Sequence, residues 1–539
     1  MKIKRLLIGM LACSAMVACT NDDVLENQGN EPQNGKVQES YLAVNLKSAY
    51  TSSRAEGASY VDGTDAENAV SKVLFFFFNA SDQAYIVNGN NSYIEKDIKM
   101  NADENDVNVE EFSDEILVIE ESQTVPPQKI LAVLNAPDAL KKNASLSELQ
   151  ELIGEYNGTS GAFVMSNSVY KHAATGKVVV ATELAAENIC ASSEDALENP
   201  VDIYVERVAA KVKVTAKYGD GATSFDTGIE TTAGEAIYAV IKGWEVTNIK
   251  NQAYLLKNID ATWTDDALGF TWNDAPYFRS YWANTTNAGW NNPKHPWTWE
   301  QVDNAATGEN NFAYYYENTD ANSADLAFDE NGNITAGTHN KSQLLVAAEF
   351  VDKDGKAIQI AEWYGQKYTI ENLKIAIANA VKSQIFIKGE TETTSIAPAD
   401  IDFFQEDDKV SDNRYLSFAK LATASENKSF VGPDGTTALS TDQVNTLLKS
   451  VRPAKIWTEG GYYYMDIKHL GTTGTTGEFG LVRNHVYDIT IDGIKGLGTP
   501  VYDPEKIITP EKPESDESYI AARINVLAWR VVSQNVTLE

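Results

Sequence analysis

The residues of this chain that could do catalytic chemistry are scattered. Its five histidines stand singly, and no two of them have a metal-binding spacing such as H-x-x-x-H. The sequence has no G-x-S-x-G elbow for a nucleophilic serine, no phosphate-binding glycine loop and no H-E-x-x-H helix. Acidic residues are abundant, but none stands in an apolar frame where the pKa of a general acid would be raised. The pattern therefore predicts no enzyme, no metal site and no cofactor.

Covalent chemistry is expected instead at the amino terminus. A basic start is followed by an apolar stretch from Leu6 to Val17, and small residues precede Cys19. This arrangement resembles the lipobox of bacterial lipoproteins, in which the cysteine is acylated and becomes the first residue. We therefore expect residues 1–19 to be a lipoprotein signal peptide with lipidation at Cys19, and plain secretion is the alternative.

A short apolar strand and a basic residue follow the signal. Residues 20–40 are polar and acidic, as in a stalk, and the next seven residues place Leu42, Val44 and Leu46 on one face. The small polar loop after this strand contains Arg54 followed by Ala55. An arginine in such a loop is accessible to a trypsin-like protease.

The elements downstream are mostly strands. Short runs of β-branched and aromatic residues separated by turns predict a mostly antiparallel β protein of two sandwich domains. An apparent hinge near Glu206, within the long predicted strand 201–218, is taken as the boundary between domains at 55–205 and 206–498. A capping box of Ser145 and Glu148 opens one predicted helix. The predicted helices are 146–153, 370–381 and 441–448, and the predicted strands are 73–78, 115–120, 129–135, 177–182, 201–218, 237–250, 253–259, 344–352, 357–363, 383–389 and 485–494.

The carboxy-terminal segment, 499–539, combines a spacer with a long apolar strand. Four prolines and an acidic run make the spacer, after which residues 520–539 contain no Gly or Pro and alternate at period two. One uninterrupted strand of this length would span roughly 65 Å, too long for one sheet edge. Such a strand is either an aggregation hazard or a part made to complete the sheet of another molecule. The residues assigned to this strand are Ile520, Ala522, Ile524, Val526, Ala528, Trp529, Val532, Val536 and Leu538.

Length and charge limit the class of protein. A chain of 539 residues is longer than a single hydrophobic core usually supports, so two or more domains are expected. Its 43% of hydrophobic residues suffices for a sizeable core. The formal net charge of −33 argues against nucleic acid as a partner, because phosphates would be repelled.

With these features in place, the chain resembles the fimbrillins, the lipoprotein-derived subunits of type V pili. The likeness within the family is greatest to the major subunit of the short, or minor, fimbriae. In the loops between 219 and 389, only short separate stretches resemble the family. The stretches that carry the resemblance are 52–55, 205–211, 279–283, 316–319, 482–487 and 524–532.

The resemblance implies a fold and an assembly mechanism. It implies two transthyretin-like β-sandwich domains with a few short helices, and a precursor tethered to the outer membrane by the lipid on Cys19. An Arg-specific protease would cut between Arg54 and Ala55 and release the propeptide 20–54, whose strand acts as a placeholder. The carboxy-terminal strand of the next subunit would fill the groove, building a head-to-tail homopolymer that serves adhesion and biofilm formation. The implied partners are further copies of the chain, anchor and tip subunits, the protease, and host or bacterial surface receptors.

Other functions remain open from the sequence alone. A surface glycan-binding lipoprotein would use the aromatic insertion 272–299, although such clusters also pack a loop onto its own domain. A secreted hydrolase has only the abundance of acidic residues in its favour. A tip or anchor subunit is a further alternative, but this chain has both the cleavable arginine and the terminal strand that a shaft subunit needs.

Overall fold

A computed structural model describes residues 40–49, 63–99, 101–102, 109–120, 125–156, 163–290, 296–328, 334–405, 415–505, 519–527 and 532–534. Strands dominate these residues, as the sequence predicts. None of their helices is long and apolar enough to cross a membrane.

The amino-terminal region forms one mixed sheet. Its strands, with short neighbouring ones, are β1 (Ser40–Ala49), β2 (Lys72–Phe78), β3 (Tyr93–Asp97), β4 (Asn101–Ala102), β5 (Val109–Ile119), β6 (Lys129–Leu134), β7 (Ile153–Gly154), β8 (Met165–Asn167), β9 (Tyr170–Lys171), β10 (Val178–Val179), β11 (Thr182–Glu183) and β12 (Val201–Arg207). The order in the sheet is β3-β2-β6-β8-β12-β1-β5-β4, with β11 on β6. The helices of this region are α1 (Asp65–Asn68), α2 (Leu146–Glu151) and α3 (Ser193–Glu198).

Both faces of this sheet are buried. On β2, Phe75 and Phe77 point into one apolar cluster while Phe76 and Phe78 point into another, which is why the run is apolar throughout. The predicted capping box of α2 is present, since the Ser145 hydroxyl accepts from the backbone N–H of Glu148 at 3.3 Å.

A β-sandwich follows in the chain. Its region contains β13 (Ala210–Ala216), β14 (Phe225–Glu230), β15 (Ala236–Thr247), β16 (Ala253–Tyr254), β17 (Asn273–Asp274), β18 (Arg279–Ser280), β19 (Phe312–Tyr315), β20 (Ser323–Phe328), β21 (Ile334–His339) and β22 (Gln343–Val351), with α4 at Asp265–Leu268. One sheet has the order β14-β15-β22 and is completed by two later strands, Gly460–Asp466 and Thr499–Val501, and the other contains β13 and β19. Alternate apolar residues from both sheets share one core, among them Val212, Trp244 and Val346.

A separate apolar core is formed by residues that lie, in sequence, between the strands of this sandwich. It contains β23 (Ile360–Trp363), β24 (Gln366–Thr369), α5 (Ile370–Val381), β25 (Phe386–Lys388), β26 (Thr393–Ser395), β27 (Ile401–Gln405), β28 (Leu416–Leu421), β29 (Phe430–Val431), β30 (Ala438–Leu439), α6 (Thr441–Lys449) and β31 (Ala454–Trp457). The sheet β24-β23-β31-β28-β27 packs against both helices. This separate core was not anticipated, because its elements read locally like those of the sandwich around it. The domain limits at 55–205 and 206–498 stay predictions.

The chain then completes the sandwich. The last strands are β32 (Gly460–Asp466), β33 (Val486–Lys495), β34 (Thr499–Val501), β35 (Tyr519–Leu527) and β36 (Val532–Gln534). The second sheet has the order β19-β13-β33-β35-β36. Single 3-10 turns lie at Asp138–Leu140, Ala186–Asn188, Ala275–Tyr277, Pro398–Asp400 and Thr423–Ser425.

Candidate strand-acceptor site

Strand β1 lies inside the amino-terminal sheet rather than at its edge. It pairs in parallel with β12, where Val44 lies opposite Val201, and antiparallel with β5, where Leu42 lies opposite Leu117. The backbone of β1 therefore bonds on both sides. Removing β1 would leave unpaired N–H and C=O groups on β5 and on β12, which is the template that an added strand requires.

The side chains of β1 contribute to the core of this sheet. Leu42 and Val44 are both 0% exposed and belong to the cluster that contains Leu117, Ile203 and Val205. Burying one such aliphatic side chain contributes about 1.5–3 kcal/mol. Leu46 lies opposite Ile203 in the register, and its side chain is outside the described residues. The site without β1 would be a long apolar groove lined by backbone groups on both sides.

The predicted cleavage site, Arg54 and Ala55, lies outside the described residues, but the segment after it is fixed to the sandwich. On α1, the Glu67 carboxylate accepts from Lys211 Nζ at 2.7 Å and from the Tyr314 hydroxyl at 2.5 Å. Arg207 donates to the Glu67 carbonyl oxygen at 3.0 Å and to the Asn68 side chain. A cut after Arg54 would thus free β1 while α1 stays anchored.

The charge of Glu67 depends on these contacts. Burial by itself would raise the pKa of the Glu67 carboxyl, but hydrogen bonds from Lys211, Tyr314 and the backbone of Thr64 outweigh it and lower that pKa. The carboxylate is therefore ionised at neutral pH and forms a buried ion pair with Lys211, whose side chain is only 14% exposed.

The carboxy-terminal segment forms a hairpin on its own chain. β35 pairs antiparallel with β33, and β36 returns along β35. The expectation of one uninterrupted strand over 520–539 is therefore wrong, since β35 ends at Leu527 and β36 begins at Val532. A strand of full length has no sheet edge long enough to pair with it, and folding back satisfies its backbone within the chain.

The residues assigned to the donor strand divide between these elements. Ile520, Ala522, Ile524 and Val526 lie on β35, and Val532 lies on β36. Ala528, Trp529, Val536 and Leu538 are outside the described residues, as is Cys19. The β35 residues lie opposite Ile494, Ile491, Ile489 and Tyr487 of β33, respectively. All four of these β33 residues are buried.

Four of the sequence stretches that resemble fimbrillins contribute residues to one buried ionic cluster. Lys257 Nζ lies 2.8 Å from a Glu206 carboxylate oxygen and donates to the Ser280 carbonyl at 2.7 Å. Arg483 pairs with Glu317 at 2.7 Å. Both pairs are almost fully buried, so each charge depends on its partner. The stretches 205–211, 279–283, 316–319 and 482–487 are thereby joined, a relation that no local pattern in the sequence reveals.

Two histidines that stand apart in sequence are adjacent in space. The rings of His469 and His485 are 5.1 Å apart, and His469 contacts the Tyr487 hydroxyl and the Tyr281 carbonyl, each at 2.8 Å. Burial, with the nearby His469 and Lys257, lowers the pKa of His485 well below its ordinary value. No group of side chains in the described part of the chain could hold a metal ion.

The aromatic insertion 272–299 packs inward. Trp272, Tyr281, Trp282 and Trp299 are all buried, and Lys250 lies over the ring of Trp290 at 3.3 Å from its centroid. These rings fix a long loop onto its own region, as the simpler interpretation of the sequence held. The four buried rings are closed to a stacking sugar, whereas Trp290 and Trp297 are half-buried.

Sequence comparison identifies the carboxy-terminal part of the sandwich. Residues 456–535, from β31 to the end of the terminal hairpin, match the family described as "Major fimbrial subunit protein type IV, Fimbrillin, C-terminal". This carboxy-terminal region is therefore similar to that of a fimbrial subunit. No functionally curated protein matches the sequence.

Comparison with solved structures gives alignments that extend over most of the chain. A putative cell adhesion protein from Parabacteroides distasonis is 13% identical, with 92% of this chain and 98% of that chain covered and a TM-score of 0.38. A fimbrilin (fimA) from Porphyromonas gingivalis is 12% identical, with coverage of 93% and 98% and a TM-score of 0.36. The tip fimbrial protein Mfa3 from the same species is 10% identical, with coverage of 90% and 99% and a TM-score of 0.30. These scores are too low to support a conclusion about function.

Proposed function

We propose that this chain is a fimbrillin, the structural shaft subunit of a cell-surface fimbria, and that it polymerises by donor-strand exchange. The observation that carries the proposal is the position of β1, which bonds to β5 and β12 and buries Leu42 and Val44 between them. In a sheet arranged this way, one removable strand occupies the whole acceptor groove. Adhesion and biofilm formation would be properties of the resulting fibre.

The proposed sequence of events begins with export. The precursor is tethered to the outer membrane through a lipid on Cys19, and an Arg-specific protease cuts between Arg54 and Ala55. The network around Glu67 keeps α1 in place, so the cut frees the propeptide alone. β1 then leaves, and the groove opens.

The carboxy-terminal hairpin supplies the proposed donor. On leaving β33 of its own chain, the segment extends into one strand that takes the place of β1 between β5 and β12 of the next subunit, exchanging one set of main-chain hydrogen bonds for another. Since donor and acceptor are different surfaces, the contact repeats head to tail and does not close. Six or more aliphatic insertions at about 25 cal/mol per Å² would contribute more than roughly 10 kcal/mol before entropy is subtracted.

The shaft is favoured over the other fimbrial roles. A tip subunit needs no donor strand and an anchor needs no cleavage, whereas this chain has candidates for both. Anchor and tip subunits, together with surface receptors, are the further partners of the proposed fibre.

A polymerisation assay tests the proposal. Purified precursor is treated with an Arg-specific protease and run on gels without heating, beside a chain that ends at Ser518 and an Arg54→Ala chain. We expect a ladder of polymers from the full chain alone. A ladder of equal extent from the chain ending at Ser518 would show that the terminal strands are not the donor. A ladder from the Arg54→Ala chain would show that polymerisation does not require cleavage after Arg54.

A further inference from the structure

An exposed aromatic group lies at the tip of the β23–β24 hairpin, far in sequence from the acceptor site. The tip consists of residues 363–366, between the paired ends Trp363 and Gln366. Tyr364 is 60% exposed, whereas the rings of the insertion 272–299 that could have stacked a sugar are largely buried. We call Trp363, Tyr364 and the neighbouring Arg452 the aromatic tip.

The backbone of the tip is strained at Tyr364, where a residue with positive φ would normally be Asn, Asp or Gly. Tyr364 has φ +50° and Gly365 has φ +73°, so the two-residue turn is of type I′. Asn, Asp or Gly is the usual first residue of such a turn, and a bulky residue at positive φ is an outlier. A tyrosine at this position has an unfavourable backbone conformation while more than half of its surface stays exposed. This combination points to a use for the side chain outside the fold.

The groups around Tyr364 form a small, preorganised surface. Its ring meets that of Trp363 edge to face at 4.7 Å, and the Trp363 indole N–H donates to the Arg452 carbonyl at 2.8 Å. The Arg452 guanidinium carbon lies 5.0 Å from the centroid of the Tyr364 ring. Arg452 is exposed and forms no ion pair with any residue that the structure describes, whereas nearby Lys367 pairs with Glu362.

These features fit a small ligand better than a protein. A stable protein interface takes roughly 20–30 residues from each side. The other exposed large apolar side chains of the described chain lie on other elements, at Val118, Val125, Ile153, Leu197 and Ile375. The aromatic tip therefore offers two rings and one cation, which is the footprint of a single sugar residue.

We propose that the aromatic tip binds a pyranose sugar that carries a carboxylate. The partly positive C–H groups of the sugar ring pack on the electron-rich face of Tyr364. The guanidinium of Arg452 receives the carboxylate through two parallel hydrogen bonds. The net charge of −33 repels long polyanions, so the preferred ligand has one carboxylate or few.

This site goes beyond the proposed function and does not depend on polymerisation. Each single contact is weak, because an open surface buries little of a ligand. In a fibre, however, the tip would repeat once per subunit, and many weak contacts would add up to strong attachment.

The test uses uncut Arg54→Ala chain, so that fibre formation plays no part. Binding of 3′-sialyllactose and of a hyaluronan tetrasaccharide, which carry a sialic acid and uronic acids respectively, is measured by saturation-transfer NMR with lactose as the neutral control. We expect the protein to bind at least one acidic probe and to prefer it to lactose. Equal binding of lactose, or no binding of either acidic probe, overturns the proposal.

Two variants separate binding from folding. Tyr364→Asn suits the type I′ turn better, so it should keep or raise the Tm while abolishing binding. Arg452→Met should weaken binding of the acidic probe about tenfold or more, whereas Lys353→Met removes an exposed cation elsewhere and should have no effect. Unchanged binding by Tyr364→Asn would place the sugar elsewhere and overturn the assignment.

Discussion

Glu67 connects the segment after the predicted cleavage site to the sandwich. Its carboxylate lies between Lys211 and Tyr314, and its own backbone carbonyl accepts from Arg207. A buried carboxylate costs free energy unless it is paired, and here a cation and a hydroxyl both satisfy it. The local sequence shows only a capping box, Thr64 with Glu67, which is also present.

Replacing Glu67 with Gln should destabilise the chain by about 3 kcal/mol at pH 7, because Lys211 would stay buried without its counter-charge. The pKa of Glu67 is lowered in the folded chain, so its contribution is present above the unfolded value of 4.5 and is lost as the pH falls through the lower folded value. The difference between wild type and variant should therefore shrink in acid. Urea unfolding at several pH values measures it.

Glu95→Gln is the matched control, since Glu95 forms a surface cluster with Lys72 and Lys141. It should change the free energy of unfolding by no more than about 1 kcal/mol. If both variants behave alike, the Glu67 contacts do not anchor α1.

At the scale of elements, β1 is both structural and removable. It is the only strand that joins β12 to β5 in the sheet order, so both neighbours depend on it for pairing. Its connection to the rest of the chain runs through 50–64 alone, and α1 is fixed independently. A strand with these two properties can be exchanged without dismantling the domain.

Leu42→Ala in the precursor should cost about 2–5 kcal/mol, because the side chain is fully buried in the sheet core. Hydrogen exchange of the amides of β5 and β12 should accelerate, since the cavity loosens β1 first. Denaturant unfolding with exchange measured by mass spectrometry checks both effects.

Val118→Ala provides the comparison, as Val118 is 38% exposed beside the buried Leu117. Its effect should stay within about 0.5 kcal/mol. Equal costs for the two variants would contradict the packing of β1 into the groove.

At the scale of the whole molecule, charge governs how copies meet. Removing residues 1–54 takes away six basic and five acidic side chains, which leaves 38 basic and 72 acidic ones and a formal net charge of −34. In the proposed fibre, neighbouring fibres would repel one another, whereas the head-to-tail contacts would be apolar and backbone-mediated. Assembly along the fibre and association between fibres should therefore respond differently to salt.

Raising the ionic strength from about 0.01 M to about 1 M shortens the Debye length from roughly 30 Å to roughly 3 Å. Preformed fibres should then associate side by side, seen as increased light scattering and as bundles in electron micrographs. Their subunits should stay joined in unheated gels. Uncut precursor is the control and should remain dispersed. Scattering that does not change with salt would show that charge does not separate the fibres.

The sequence by itself determined the local features: the strand class, the limits of α5, the capping box of α2 and the apolar face of the first strand. These follow from periodicity and capping, which report local burial and hydrogen bonding. Only the tertiary structure decided that β1 lies between β5 and β12, that residues around Ala361 and Leu373 build a separate core, and that the terminal strands fold back onto β33. Pairing partners depend on contacts between residues far apart in the chain, and a periodic pattern shows which face is buried without showing against what.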